Sequence, residues 1–187
     1  VKVFSRKSIE IKNPKIIEIN GDILALNNFR KDFFADEVYC CIGTTAKKTP
    51  DKELYKKIDF GIPVTTAKLC KKNNIDTLLL MSSLGANAKS SVFYNKTKGE
   101  MEQAVLKEEI KNTYILRPSI ILGKRNENRL FENIGKRVFT TFQFLFIGKL
   151  KKYKAIEADH IATAMIKLAN VKPSLTIIES DKIEEFN

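Results

Sequence analysis

Histidine is almost missing from this chain: His160 is the only one in 187 residues. A Ser-His-Asp triad or a His-rich metal centre therefore has little material, and no metal is expected. His160 itself precedes an apolar run and reads as a helix-start residue rather than a base. The three cysteines, Cys40, Cys41 and Cys70, form no Cys-x-x-Cys pair. They read as reduced, mostly buried thiols of a cytosolic protein, so the expected location is cytoplasmic. No long hydrophobic run is present. The longest apolar region, Val138 to Leu150, is interrupted by Thr140, Thr141, Gln143 and Lys149, and is too short and polar to span a bilayer. No secretory signal, low-complexity tract or internal repeat is evident. Tryptophan is absent, so a fluorescent ligand would be read against a low background.

What is abundant is lysine. The net charge is +11, with 43% hydrophobic and 29% charged residues, a balance ordinary for a globular protein except in its sign. The excess is uneven: Lys124 to Lys154 holds nine basic and two acidic residues. Such a segment can attract nucleic acid, anionic lipid or a phosphorylated ligand. A solvated surface accounts for most of these lysines more simply, so nucleic acid and anionic lipid are not the favoured partners.

Short β-rich runs alternate with helix-like segments. Strands are expected at Val1 to Phe4, Lys15 to Ile19, Glu37 to Ile42, Thr77 to Met81, Thr113 to Leu116 and Thr176 to Ile178. Helices are expected over Asp51 to Asn73, where Pro63 can bend the chain, over Ser91 to Glu109, and over His160 to Ala169 with Asp159 as N-cap. This alternation predicts an α/β fold with a parallel sheet covered on both faces. Ligands of such sheets bind at the carboxyl ends of the strands. The unusual residues of this chain follow strands: Arg6-Lys7, Gly21-Asp22, Gly43-Thr44-Thr45, Ser82-Ser83 and Pro118-Ser119.

Tyr94 and Lys98 carry the most chemistry. Four apart on a helix, they share a face. An ammonium beside a phenol favours the phenolate, which a tyrosine needs if it is to exchange protons near neutrality. A serine hydroxyl from Ser82 or Ser83 could hold a substrate oxygen. With 27 lysines in the chain, the spacing alone also fits two residues on a solvated face. Arg6 and Lys7 could accommodate a ribose 2′-phosphate or be a surface pair. Asp22 could accept from an adenine amino group or cap the next turn. Gly43 permits close backbone approach, and Thr44 and Thr45 add hydroxyls.

The succession Cys40-Cys41-Ile42-Gly43-Thr44-Thr45, Ile58-Asp59, Ser82-Ser83-Leu84-Gly85-Ala86, Tyr94-x-x-x-Lys98-Gly99-Glu100 and Arg117-Pro118 resembles the short-chain dehydrogenase/reductase superfamily. More narrowly, it is similar to the atypical, epimerase-like branch typified by the Tat-interactive-protein oxidoreductase. The resemblance runs over nearly the whole chain and is most specific from Glu37 to Ser119. It implies a Rossmann-type doubly wound parallel sheet in three αβα layers. It also implies a single dinucleotide-binding domain over 1–187, with 124–155 as the variable substrate-pocket region.

On this resemblance Tyr94 is the acid/base, Lys98 holds the nicotinamide ribose and acidifies the phenol, and Ser83 or Ser82 orients the substrate oxygen. Ser83 is suggested by its place before the glycine turn, Ser82 by its spacing to Tyr94. Arg6 and Lys7 meet the 2′-phosphate, which favours NADP(H) over NAD(H). Asp22 and Ile23 lie at the adenine, Cys41, Gly43, Thr44 and Thr45 along the adenosine side, and Pro118 and Ser119 at the nicotinamide. The expected activity is NADP-dependent oxidoreduction of a small carbonyl or alcohol; a non-catalytic NADP(H) sensor is the alternative. A homodimer is possible.

Two departures stand out. The family's first strand, Gly-rich turn and first helix have no counterpart before Val1, so the sequence reads as lacking its natural start. Asp59 stands where many sugar-modifying relatives carry Asn. The 124–155 region is basic and holds Phe131, Phe139, Phe142, Phe144 and Phe146, which read first as core packing.

Overall fold

The computed structural model describes residues 1–122 and 148–187. The five phenylalanines just named, and most of the expected pocket region, lie outside the described residues. Six strands fall within about two residues of their expected places, and two short ones, at 121–122 and 156–157, were not expected. They are β1 (Lys2–Ser5), β2 (Ile17–Asn20), β3 (Val38–Cys40), β4 (Thr77–Met81), β5 (Asn112–Arg117), β6 (Ile121–Leu122), β7 (Ile156–Glu157) and β8 (Ile177–Glu179). All pairings among them are parallel. The main sheet has the order β3-β4-β5-β8, while β1 pairs only with β2 and β6 only with β7. Among the described residues, no ladder joins β1 to β3.

The two faces of the main sheet bury different residues, as the two-residue strand period requires. Leu78, Leu80 and Ile115 pack with Ile62, Leu69, Met101 and Val105, and Phe4 of β1 joins this side. Leu79, Tyr114, Leu116 and Ile178 pack on the opposite side with Ile161, Met165 and Leu168. Helices therefore cover both faces, giving the three-layer α/β arrangement expected.

The first face is covered by α1 (Lys52–Lys56), α2 (Ile62–Lys72) and α3 (Phe93–Leu106), the second by α4 (Ala158–Val171) and α5 (Ser180–Glu184). Asp51 starts α1 as a true N-cap, its carboxylate accepting from the amides of Glu53 and Leu54 at 2.8 and 3.2 Å. The expected bend at Pro63 takes a specific form. A proline cannot donate to the carbonyl four residues back, and its ring crowds that carbonyl. The turn ahead of it, Lys57–Gly61, is wound as a π-helix. That wide turn delivers Asp59 into the interior, where it is fully buried.

The N-cap expected at Asp159 is instead the Glu157 position, without a side-chain bond, and Asp159 lies inside the first turn of α4. Its carboxylate still stabilises that end through the helix dipole. His160 occupies the same turn and meets Glu184 at 2.9 Å.

Gly99 fixes how α3 meets the loop after β4. A Cβ there would fall well inside contact with the backbone of Asn87 and Ala88, atoms that cannot swing aside. The close approach is sealed by the Asn87 amide donating to the Asn95 carbonyl at 2.9 Å. Gly99→Ala is therefore expected to cost about 1–3 kcal/mol by overpacking, read as a lower urea midpoint. Lys96→Ala, on the exposed face of the same helix, should stay within about 0.5 kcal/mol of the parent.

Candidate functional site

The carboxyl ends of β4 and β5 are held side by side. The Ser82 amide donates to the Leu116 carbonyl at 2.8 Å, and the Leu84 amide to the Pro118 carbonyl at 2.9 Å. Below them lies a charged knot. Ser82 Oγ donates to Glu102 Oε1 at 2.5 Å. Arg117 Nε donates to the same oxygen at 2.9 Å, and its Nη2 to Oε2 at 2.5 Å. The bidentate pairing with Glu102 raises the Arg117 pKa above its usual value. Ser82 is buried, and its hydroxyl proton is committed to this knot.

Ser83 turns the other way. It lines a cavity of about 690 Å³ whose wall also includes Asn87, Tyr94, Ser119, Lys152 and Glu179. Tyr94 is 37% exposed there. Ser83 Oγ is buried and makes no hydrogen bond among the described residues. Pro118 and Ser119 reach the same wall, but the Ser119 hydroxyl is occupied: it donates to the Lys154 carbonyl and accepts from Ser180 Oγ. Lys152 and Glu179 form an ion pair at 2.9 Å on the wall.

Lys98 is not on that wall. Its ammonium lies 2.8 Å from Asp59 Oδ1, and both side chains are at least 95% buried, at 5% and 1% exposure. The lysine's immediate partner is thus Asp59, met on the buried side of the helix, whereas Tyr94 is on its exposed side. Asp59 Oδ2 accepts from the Thr44 amide at 2.7 Å. Oδ1 has the ion-pair contact but no donor in good hydrogen-bond geometry. Above the pair sits Gly43, whose missing Cβ would lie 3.5 Å from Asp59 Oδ1 and 3.8 Å from Lys98 Nζ. A ligand can approach closest where no side chain stands, and an acceptor and a donor wait below. The donor set fits the hydroxyl-rich sugar of a dinucleotide.

Tyr55 was not singled out by its sequence position. It is 2% exposed, its ring meets those of Phe93 and Tyr94 at 5.5 and 6.3 Å, and its hydroxyl has no hydrogen-bond partner among the described residues. Glu102 and Asn87 also escaped notice, because a lone acid or amide on an amphipathic segment has no motif. Tyr55, Asp59 and Ser83 hold the buried side-chain polar atoms without a hydrogen bond among the described residues. Each such atom costs about 1–3 kcal/mol if left unmet.

The remaining expected residues stand apart from this cavity. Arg6 and Lys7 are exposed after β1. Asp22 caps the following 3-10 turn, accepting from the Leu24 amide at 2.9 Å. Ile23 is in the core, so its side chain is not free for an adenine. Cys41 is exposed rather than buried, because β3 has no strand on that side, whereas Cys40 and Cys70 are buried. Thr44 Oγ1 bonds Thr49 Oγ1 at 2.8 Å, and the Thr45 carbonyl accepts the amides of Lys48 and Thr49.

No family model matches the chain. It is 35% identical over 134 residues to a protein of Debaryomyces hansenii, covering 71% of this chain and 58% of that one. It is 44% identical over 133 residues to one of Candida albicans, covering 68% and 57%. A third, from Meyerozyma guilliermondii, is 29% identical over 188 residues, covering 97% and 81%. All three are named "Protein FMP52, mitochondrial". The chain spans somewhat over half the length of the first two. These relatives overturn the cytoplasmic expectation: reduced thiols are equally at home in other reducing compartments, so cysteine usage could not separate them.

Among solved structures, the chain is similar to MoeE5 in complex with UDP-glucose and NAD, with a TM-score of 0.67, 12% identity, and coverage of 97% of this chain and 70% of that one. WbmH of Bordetella bronchiseptica in complex with NAD+ gives a TM-score of 0.66 at 15% identity, covering 94% and 64%. The fold is therefore the Rossmann-type fold of nicotinamide-dinucleotide-binding proteins.

The burial of the Lys98–Asp59 pair sets a stability expectation. Asp59→Ala leaves an ammonium in the interior with no counter-charge and should destabilise by about 3–5 kcal/mol, measured by urea unfolding. Asp59→Asn keeps an acceptor and should lose less.

Proposed function

We propose that this protein is a nicotinamide-dinucleotide-dependent oxidoreductase of the atypical short-chain type, acting on a small carbonyl or alcohol. The observation that carries the reading is the shared cavity wall. Ser83, with a buried unpartnered hydroxyl, and Tyr94 line one cavity at the carboxyl ends of the central strands, and Lys98 lies one helical turn beyond Tyr94. In reduction, the Ser83 hydroxyl donates a hydrogen bond to the substrate carbonyl oxygen and holds it beside Tyr94. Tyr94 Oη gives its proton to that oxygen as the carbonyl carbon is reduced, and takes one back from solvent. A reduced nicotinamide, when bound, supplies the hydride. Asp59, Lys98 and Gly43 form the floor that meets the adjoining sugar.

The preference for NADP is part of this proposal. Arg6 and Lys7 are exposed directly after β1, and the acidic side chain that reaches this loop, Glu18 of β2, is engaged by the Ser8 hydroxyl and the Ile9 amide at 3.3 Å each. A mitochondrial location is proposed from the names of the relatives. A second reading, a dinucleotide-binding sensor without turnover, is favoured by one feature: Lys98 is already engaged by Asp59 instead of facing the cavity.

Titration with NADPH and NADH, followed by reduced-nicotinamide fluorescence, tests the cofactor. NADPH should bind more tightly, and Arg6→Ala should weaken NADPH by about tenfold while leaving NADH nearly unchanged. Equal affinities for the two would remove the NADP preference.

Tyr94→Phe separates the two functional readings. Turnover in a carbonyl and alcohol screen should fall by about 10²–10⁴ with NADPH affinity retained. Ser83→Ala should lower kcat, and Ser82→Ala should lower the unfolding midpoint. Unchanged turnover in Tyr94→Phe would sink the catalytic assignment, and background turnover throughout, with good NADPH binding, would favour the sensor.

A further inference from the structure

Tyr55 has no place in the chemistry just described, yet it is built into the same spot. It stands on α1, one turn before the π-wound segment that carries Asp59, and its ring packs edge-on against both Phe93 and Tyr94. Its phenol is pushed up by burial first, with the Asp59 carboxylate and the Tyr94 phenol adding to the shift. It is therefore a neutral hydroxyl, a donor, at any pH the protein meets. Tyr55 precedes Asp59 by four residues on one continuous helical winding, so a buried donor with no acceptor among the described residues stands one turn from a buried carboxylate oxygen whose contact is the Lys98 ammonium at 2.8 Å. Native proteins leave few such atoms unmet, and a pair of opposite character marks a place for a shared polar guest.

We propose that Tyr55 Oη and Asp59 Oδ1 hold an internal water that also meets Lys98 Nζ, making Tyr55 a positioning residue of the Tyr94–Lys98 site. Three polar partners are what a buried water ordinarily requires. The water sets the position of the Asp59–Lys98 pair beneath Gly43, and so acts on a ligand through Lys98 without touching it. The inference about the site rests on the cofactor reading above; the inference about the water does not.

Tyr55→Phe tests both, because it removes one oxygen and keeps the ring against Phe93 and Tyr94. If the hydroxyl holds a water, the thermal midpoint falls by about 2–4 °C, the scale of one lost buried hydrogen bond in a domain of this size. If the hydroxyl is unbonded, its removal relieves a desolvated donor, and the midpoint stays or rises, which overturns the proposal. The second arm is NADPH fluorescence titration. Loss of the brace on Lys98 should weaken NADPH by about fivefold. Tyr114→Phe is the control: that hydroxyl donates to the Pro173 carbonyl at 3.3 Å, far from the cavity wall, and its loss should lower the midpoint with no change in NADPH affinity. A Tyr55→Phe variant that behaves like this control would make the hydroxyl purely structural and overturn its place in the site. If the parent protein binds no NADPH, the cofactor reading has failed, while the midpoint still decides the water.

Discussion

The buried contact between Lys98 and Asp59 constrains everything around it. An ammonium at this depth is tolerable only with a counter-charge beside it, and a carboxylate likewise. The pair therefore dictates how α3 and the segment after α1 are placed, since each supplies one charge. The π-wound turn that relieves the crowding of the Pro63 ring against a carbonyl also delivers Asp59 to this pair. It also reaches the strand end: the Thr44 amide is spent on Asp59 Oδ2, which anchors the chain just after β3. Three segments far apart in sequence are thus tied to one pair of charges. π-turns recur where a fold has to aim one side chain, and here the aimed side chain is Asp59.

A second knot does the same for the opposite rim. Glu102, one turn beyond Lys98 on α3, collects Ser82 and Arg117 from the ends of β4 and β5. Both knots sit on α3, on the buried side of the helix that carries Tyr94 on its exposed side. The helix is thereby fixed in rotation as well as position. Gly99 lies between the two knots in sequence, where the loop after β4 presses onto the helix backbone. The geometry of Ser83 relative to Tyr94 is consequently set by groups that do not line the cavity. Such a supporting shell is what a site needs if its reactive groups are to be held within a fraction of an ångström.

Much of this was legible in the sequence, for identifiable reasons. The apolar runs of β4 and β5 are bounded by polar turns and buried on both faces, so their positions could be read from composition alone. The helix over residues 52–72 was legible from its periodicity, and Pro63 announced an irregularity without revealing its kind. Asp59 was conspicuous only as a departure from the resemblance; its partner could not be inferred, because Lys98 is one lysine among 27. The N-cap assigned to Asp159 failed by two positions, since Asp is also stabilised inside a first turn. Asp22 had two roles open, and the local bond to the Leu24 amide is the one seen. Location was not legible at all, because compartments that keep thiols reduced leave the same mark on cysteine usage.

The two serines after β4 show what separates support from function. Ser82 and Ser83 are identical in type and adjacent in sequence, and just past the end of β4 one meets Glu102 while the other lines the cavity. One finds a carboxylate and is satisfied. The other reaches the cavity wall with its hydroxyl unmet. A buried hydroxyl that already donates has no proton left to offer a ligand, whereas an unmet one is stabilised by whatever supplies the missing bond. The same accounting divides Thr44, whose amide and hydroxyl are both used, from Asp59, whose Oδ1 has the Lys98 ammonium beside it but no well-aligned donor. It divides Tyr114, bonded to a backbone carbonyl, from Tyr55. Unspent hydrogen-bonding capacity therefore converges on Tyr94 and Lys98 from α1, from the π-wound turn and from the end of β4. Since an unmet buried atom weakens the fold, Ser83 Oγ, unmet at the cavity wall among the described residues, is the atom that a polar guest would stabilise most directly.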